Sequence, residues 1–230
     1  MNKKIVFLEG NSIGNMNFDL LKEFGELYYY DNTQLNNLEE RIKDANIILV
    51  NKLLLNEKTL KEANKLELIC EVATGYNNID IDYARKMNIA VTNVAGYSTD
   101  TVAQHTFALL LNLYNKLFYY DNYVKNGLYS KTNSFTNLGR EFYDIAGKTW
   151  GIIGLGAIGK KVAKIAESFG ANIIYYSTTG KNKNSEYKSV ALDELLKDSD
   201  IISIHAPLND VTKGLINYET LSKMKKMLLL

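Results

Sequence analysis

Lys148-Thr149-Trp150-Gly151-Ile152-Ile153-Gly154-Leu155-Gly156-Ala157-Ile158-Gly159 is the stretch from which the fold is read. Its first six residues read as a short buried strand, and an amphipathic helix opens directly behind the last glycine. A lone G-x-G-x-x-G is a weak signal. Wedged between a strand and a helix, it is the fingerprint of a dinucleotide-binding turn. Gly154 permits the tight turn, Gly156 lets the backbone approach a pyrophosphate, and Gly159 lets the helix pack closely on the strand. The helix N-terminus then offers unpaired N–H groups and a positive dipole end to phosphates. The expected ligand is a nicotinamide or flavin dinucleotide. The competing reading is a strand-to-helix turn with no ligand.

Around this unit the chain alternates strand and helix. Ile158, Val162, Ile165, Ala166 and Phe169 form one helical stripe, with Lys160, Lys161 and Lys164 mostly outside it, and Gly170 ends the helix. Strands are expected at 172–177, 189–191 and 200–205, with a helix at 192–197. Upstream, 4–8, 26–30, 47–50, 68–71 and 89–92 read as strands, and 18–24, 34–43, 57–63 and 81–86 as helices. Such alternation with short connections predicts parallel sheets covered by helices on both faces. The fold class is therefore α/β, with two doubly wound parallel-sheet domains. Residues 1–99 form a flavodoxin-like domain and residues 100–230 a Rossmann domain.

A long helix begins near Thr101, where Thr101-Val102-Ala103-Gln104 has capping-box spacing. Residues 102–118 are apolar nearly all round, so this helix is expected to be buried and to join the two domains. Residues 125–144 are polar and irregular. Met227-Leu228-Leu229-Leu230 reads as the start of a further strand. A complete doubly wound dinucleotide domain has about six strands, so the second sheet reads as incomplete.

Bulk composition excludes several classes. A net charge of +1 gives no long-range field to attract nucleic acid or an anionic membrane. No apolar run approaches the roughly 20 residues of a membrane helix, and Met1-Asn2-Lys3-Lys4 runs into a strand without a signal-peptide pattern. The single Cys70 excludes an internal disulfide and a cysteine-only zinc site. It reads as a packed core residue, which suits a reducing cytoplasm. No metal-ligand spacing is present, so no metal is expected.

About 20 residues after the fingerprint, an acidic residue normally binds the adenosine ribose hydroxyls. Here that position is Ser177, followed by Thr178, Thr179 and Lys181. A carboxylate would repel a 2′-phosphate, whereas Ser177, Thr178 and Lys181 can receive one. NADP acceptance is one expectation. In the other, Ser177 bonds the NAD ribose and Lys181 is a solvated loop charge.

At this point the residues resemble the D-2-hydroxyacid dehydrogenases. The run from Gly147 to Gly159 carries the resemblance, as do His205-Ala206-Pro207-Leu208 and Thr212-Lys213-Gly214-Leu215-Ile216. In the first domain, Ala73-Thr74-Gly75-Tyr76-Asn77-Asn78-Ile79-Asp80 and 97–105 are similar to the glycerate dehydrogenase/hydroxypyruvate reductase branch. The resemblance implies hydride transfer between NAD(P) and C2 of a small 2-hydroxy/2-oxo acid. It implies that Thr74 and Gly75 hold the substrate carboxylate on their N–H groups, as a backbone anion nest would. It assigns Gly156, Ala157, Ile158 and Gly159 to the pyrophosphate, and His205, Ala206 and Pro207 to a loop along the cofactor. Thr212 becomes a polar contact nearby and Val102 a residue near the nicotinamide. It also implies a homodimer, and a cleft between two lobes for cofactor and substrate.

The reaction needs a general acid, and a cation for the substrate carboxylate. The resemblance assigns these roles to a Glu-oriented His and an Arg, all expected beyond Leu230. His205 matches the cofactor loop, and His105 reads as a structural histidine on the buried helix. None of Arg41, Arg85 and Arg140 lies in the family's Arg motif. The expectation is thus an N-terminal part of a dehydrogenase. A dinucleotide-binding regulator and an inactive fragment are the alternatives.

Overall fold

The computed structural model describes residues 2–14, 16–181, 184 and 186–225. The chain divides into two compact units, Met1–Tyr97 and Ser98–Leu230.

In the first unit, β1 (Lys3–Phe7), β2 (Gly25–Tyr29), α1 (Leu35–Ile42), β3 (Ile47–Val50), α2 (Glu57–Leu60), β4 (Leu68–Glu71), α3 (Ile81–Lys86) and β5 (Ala90–Thr92) follow in order. All pairings are parallel and the strand order is β2-β1-β3-β4-β5. Two-residue periodicity sorts β1 onto two cores. Val6 and Leu8 pack with Leu38, Ile42, Ile48 and Ile69 on one face. Ile5 and Phe7 pack with Leu49, Phe18 and Cys70 on the other. Burial on both faces is why the inner strands β1 and β3 read as continuous apolar runs rather than alternating ones. Where the sequence suggested a helix over 18–24, the chain forms a 3-10 turn at Asp19–Glu23.

The second unit opens with α4 (Thr99–Asn115) and α5 (Leu117–Lys125), separated by Lys116 at φ 53°. Then come β6 (Thr149–Ile153), α6 (Ala157–Ser168), β7 (Asn172–Tyr176), β8 (Lys188–Ser189), α7 (Leu192–Asp198), β9 (Ile201–Ile204) and α8 (Tyr218–Ser222). The order is β8-β7-β6-β9, again parallel. The chain winds away from β6 in one direction and returns on its other side at β9. This creates the switch point at which doubly wound sheets bind ligands. The strand expected at Met227–Leu230 lies outside the described residues.

Two expectations about the long helix are corrected. It starts at Thr99, so Thr101 is already helical and cannot act as a cap. It is buried on one stripe only: Ala103, Phe107, Leu110 and Tyr114 are covered, whereas Leu109 and Leu113 are about half exposed. The covered stripe follows the 3.6-residue period and meets α6 and β6, where Phe107 packs on Trp150 with ring centroids 5.0 Å apart. Leu109 and Leu113, outside that stripe, border a cavity shared with Trp150 of β6 and residues 201–204 of β9. Among the described residues, no helix is long and apolar enough to cross a membrane.

Candidate functional site

The C-terminal ends of β6, β7 and β9 converge. His205 N donates to Ile153 O at 2.8 Å, and Gly154 N donates to Tyr176 O at 3.0 Å. These bonds bring Gly154, Ser177 and His205-Ala206 to one edge of the sheet. Gly154 adopts φ +91°, and a Cβ there would lie 2.9 Å from Ala206 N. Glycine is therefore required by both conformation and space. At Gly159 a side chain would run into the Gly154 carbonyl, which is the close helix-to-strand packing expected. Gly156 differs, because a Cβ there meets nothing within 4 Å. The protein's own packing does not call for a glycine at Gly156.

Gly156 is the N-cap of α6 and contributes no side-chain cap, so the N–H groups of Ala157 and Ile158 open the helix without an internal acceptor. Two further atoms at this edge fit a polar ligand. Ser177 Oγ and His205 Nε2 are both buried without a hydrogen-bond partner, and a buried polar atom is normally paired. Burial holds the His205 imidazole down at a pKa of about 4, so it is neutral near pH 7. His205 also borders a cavity of about 270 Å³ lined by Thr106, Leu110, Leu113, Trp150 and Ser203. The loop behind it is braced by Thr212, whose Oγ1 donates to Pro207 O at 2.6 Å and accepts from Asn209 N at 2.9 Å. That hydroxyl shapes the 205–212 loop. Val102 is half-buried in the first turns of α4. His105 is exposed on α4, not enclosed as the sequence suggested.

In the first unit, Thr74 and Gly75 follow β4. Thr74 Oγ1 donates to Val94 O at 3.0 Å, and Asn93 Nδ2 donates to Thr74 O at 2.8 Å. Among the described residues, these bonds employ the hydroxyl and carbonyl of Thr74 rather than the Thr74 or Gly75 N–H. The turn is held firmly with its amides available. Sequence reasoning missed two buried carboxylates of this unit. Glu9 and Glu71 are both buried, and burial pushes the Glu71 carboxyl up to about 7. The one sequence signal was an acidic residue closing the apolar strand Leu68-Ile69-Cys70-Glu71.

The chain matches the sequence profile of the D-isomer specific 2-hydroxyacid dehydrogenase NAD-binding domain over residues 107–230. It is 34% identical to a hydroxypyruvate reductase of Blautia hydrogenotrophica, over 96% of this chain and 71% of that protein. It is 35% identical to a glycerate dehydrogenase of Methylorubrum extorquens, over 100% of this chain and 72% of the relative. Among solved structures, D-lactate dehydrogenase of Aquifex aeolicus with NAD and lactic acid superposes with a TM-score of 0.80 at 31% identity, covering 96% of this chain and 66% of that one. An acyclic imino acid reductase in complex with NADPH and D-Arg superposes with a TM-score of 0.87 at 27% identity, covering 96% and 71%.

Proposed function

Because this chain belongs to the D-isomer specific 2-hydroxyacid dehydrogenase family, we propose that it binds NAD(P) at the edge of β6, β7 and β9. The observation that carries this reading is Gly156: a glycine with open space beside it, at the uncapped start of a 12-residue helix. In the proposal, Gly154, Gly156, Ala157, Ile158 and Gly159 cradle the pyrophosphate, and Ser177 meets the adenosine ribose. His205, Ala206 and Pro207 lie along the cofactor, supported by Thr212, with Val102 toward the nicotinamide. Thr74 and Gly75 hold the substrate carboxylate through their N–H groups.

The proposed substrate is a small 2-hydroxy/2-oxo acid of the glycerate/hydroxypyruvate or glyoxylate kind. When bound, NAD(P) supplies the hydride acceptor or donor for C2 of that acid. Neither His105 nor His205 is proposed as the acid. His105 is exposed on α4, and His205 is held neutral by burial. Nor is an arginine proposed as the substrate cation. Arg41 Nη1 donates to Asn32 O and Thr33 Oγ1 at 2.7 and 2.6 Å, Arg85 pairs with Asp82 at 3.1 Å, and Arg140 lies over the Tyr119 ring. No catalytic residue is therefore assigned within these 230 residues.

The neutral His205 favours a second reading, in which the chain binds dinucleotide without turning substrate over, as a regulator or an inactive fragment would. A cytoplasmic location and a homodimer belong to the proposal as well. The single Cys70 supports the first, and the uncovered apolar residues Leu109 and Leu113 of α4 support the second.

One experiment tests these readings together. NADH and NADPH are titrated into the chain by fluorescence, with hydroxypyruvate-dependent oxidation read in the same cuvette. Binding with turnover supports the dehydrogenase and overturns the exclusion of His105 and His205. Binding without turnover supports the second reading. Failure to bind either cofactor overturns the assignment of the glycine turn.

A further inference from the structure

Glu71 is the last residue of β4 and is 1% exposed. A carboxylate so placed has to be hydrogen-bonded or protonated. Its Oε2 accepts from Asn78 Nδ2 at 2.9 Å, whereas Oε1 is buried without a partner. The same Nδ2 reaches Leu53 O at 3.2 Å and Asn51 O at 3.5 Å. From the opposite side, Glu9 Oε2 accepts from the N–H groups of Asn51, Lys52 and Leu53 at 2.9, 2.8 and 3.1 Å. The loop after β3 is thus gripped twice, by Glu9 on its N–H groups and by Asn78, and through it Glu71, on its carbonyls.

The Glu71–Asn78 bond has a second consequence. Thr74 and Gly75 lie between these two residues, so the bond closes the neck of the turn that carries them. We propose that Glu71 is a positioning residue for this turn, with the turn and the 51–53 loop held together in one arrangement when it is protonated and shifting together to another when it is ionised. This rests on the reading of Thr74 and Gly75 as the substrate-carboxylate turn. A proton on Oε1 would make that orphaned acceptor a donor. Asn51 Oδ1, in the same cluster, is a buried acceptor that lacks one. Ionisation instead leaves a buried charge beside the Glu9 carboxylate. Burial is the main influence keeping the proton on Glu71; Asn78 and Lys52 oppose it and Glu9 reinforces it, leaving the group poised at about 7. Lys52 and Glu9 are the charged residues acting on it.

The test is a pH titration of the whole chain through neutrality, followed by backbone amide resonances. The expected result is that Asn51–Leu53 and Thr74–Tyr76 shift together with one midpoint near 7. In Glu71→Gln, which fixes the neutral form, both sets should be flat. Two flat or independently titrating loops in the wild type overturn the proposal with no need of a variant. So does an unchanged titration in Glu71→Gln. A merely structural Glu71 would change stability and move none of these midpoints. Glyoxylate added at both ends of the titration examines the underlying reading separately. Glyoxylate shifts at Thr74 and Gly75 whose affinity changes by roughly fivefold as Glu71 ionises support the linkage. No glyoxylate shift there at either pH overturns the substrate-turn reading, while the joint titration of the two loops decides the positioning role by itself.

Discussion

Gly154 and Ala206 stand against one another, 52 positions apart in sequence (206 − 154), so closely that a Cβ on Gly154 would lie 2.9 Å from the Ala206 nitrogen. This contact joins the glycine turn after β6 to the His205-Ala206-Pro207 loop after β9. Two motifs that are unrelated along the chain meet at one edge of the sheet.

Alanine at Gly154 and at Gly156 should therefore fail in different ways. Gly154→Ala meets the Ala206 backbone and a φ of +91°, so it should lose about 1–3 kcal/mol or more and bind no cofactor. Gly156→Ala enters open space and should keep its stability to within about 1 kcal/mol. Its NADH and NADPH affinity should nevertheless fall steeply. Urea melts paired with fluorescence titrations separate the two. Normal cofactor binding by Gly156→Ala would sink the pyrophosphate assignment.

Ser177 offers a buried hydroxyl without a partner where many dinucleotide domains carry a carboxylate. Ser177→Asp should weaken NADPH by tenfold or more, about 1.4 kcal/mol, while NADH binding survives. Equal losses for both cofactors would mean that Ser177 does not face the ribose 2′ position.

The fully buried Trp150 donates its indole N–H to Ser203 Oγ at 2.9 Å. Ser203→Ala leaves that donor unpaired in the core and should cost about 1–3 kcal/mol. Trp150 is the chain's single tryptophan, so its fluorescence reports the melt of the second unit directly. An unchanged denaturation midpoint would refute the hydrogen bond.

Two buried groups should tilt stability against pH in opposite directions. His205 falls from 6.5 to about 4 in the folded chain, so the unfolded state binds more protons between those values. Its contribution is present above 6.5 and is lost as pH drops toward 4. Glu71 rises from 4.5 to about 7, so the folded state binds more protons in that window, and stability falls as pH climbs through it. The two belong to different units. His205→Gln should flatten the acid slope of the Trp150-reported melt, and Glu71→Gln should flatten the opposite slope of the first unit. If either variant keeps the wild-type slope, the corresponding shift is refuted.

Much of this architecture was legible along the chain. Ile47–Val50, Leu68–Glu71 and Ile81–Lys86 form the elements read from their apolar pattern, with those bounds. Strands buried on both faces are apolar throughout, and that signal is local. The glycine spacing was legible for the same reason, since the conformation of Gly154 and the packing of Gly159 arise within one turn. The helix at Thr99–Asn115 was misjudged at its start and in its burial, because its apolar residues exceed what one neighbouring layer covers.

Sequence pattern therefore fixes which segments are strands and helices, that they alternate, and that a strand–glycine–helix turn suited to a dinucleotide lies among them. These properties follow from side-chain periodicity and backbone freedom within a few residues. Three-dimensional packing supplies everything that depends on distant neighbours. It brings His205 beside Gly154, strips partners from Ser177 Oγ and His205 Nε2, and encloses Glu71 with Asn78 and Glu9. Burial and hydrogen bonding across tens of residues set a proton affinity, and no local pattern encodes what will surround a side chain once the sheet has closed around it.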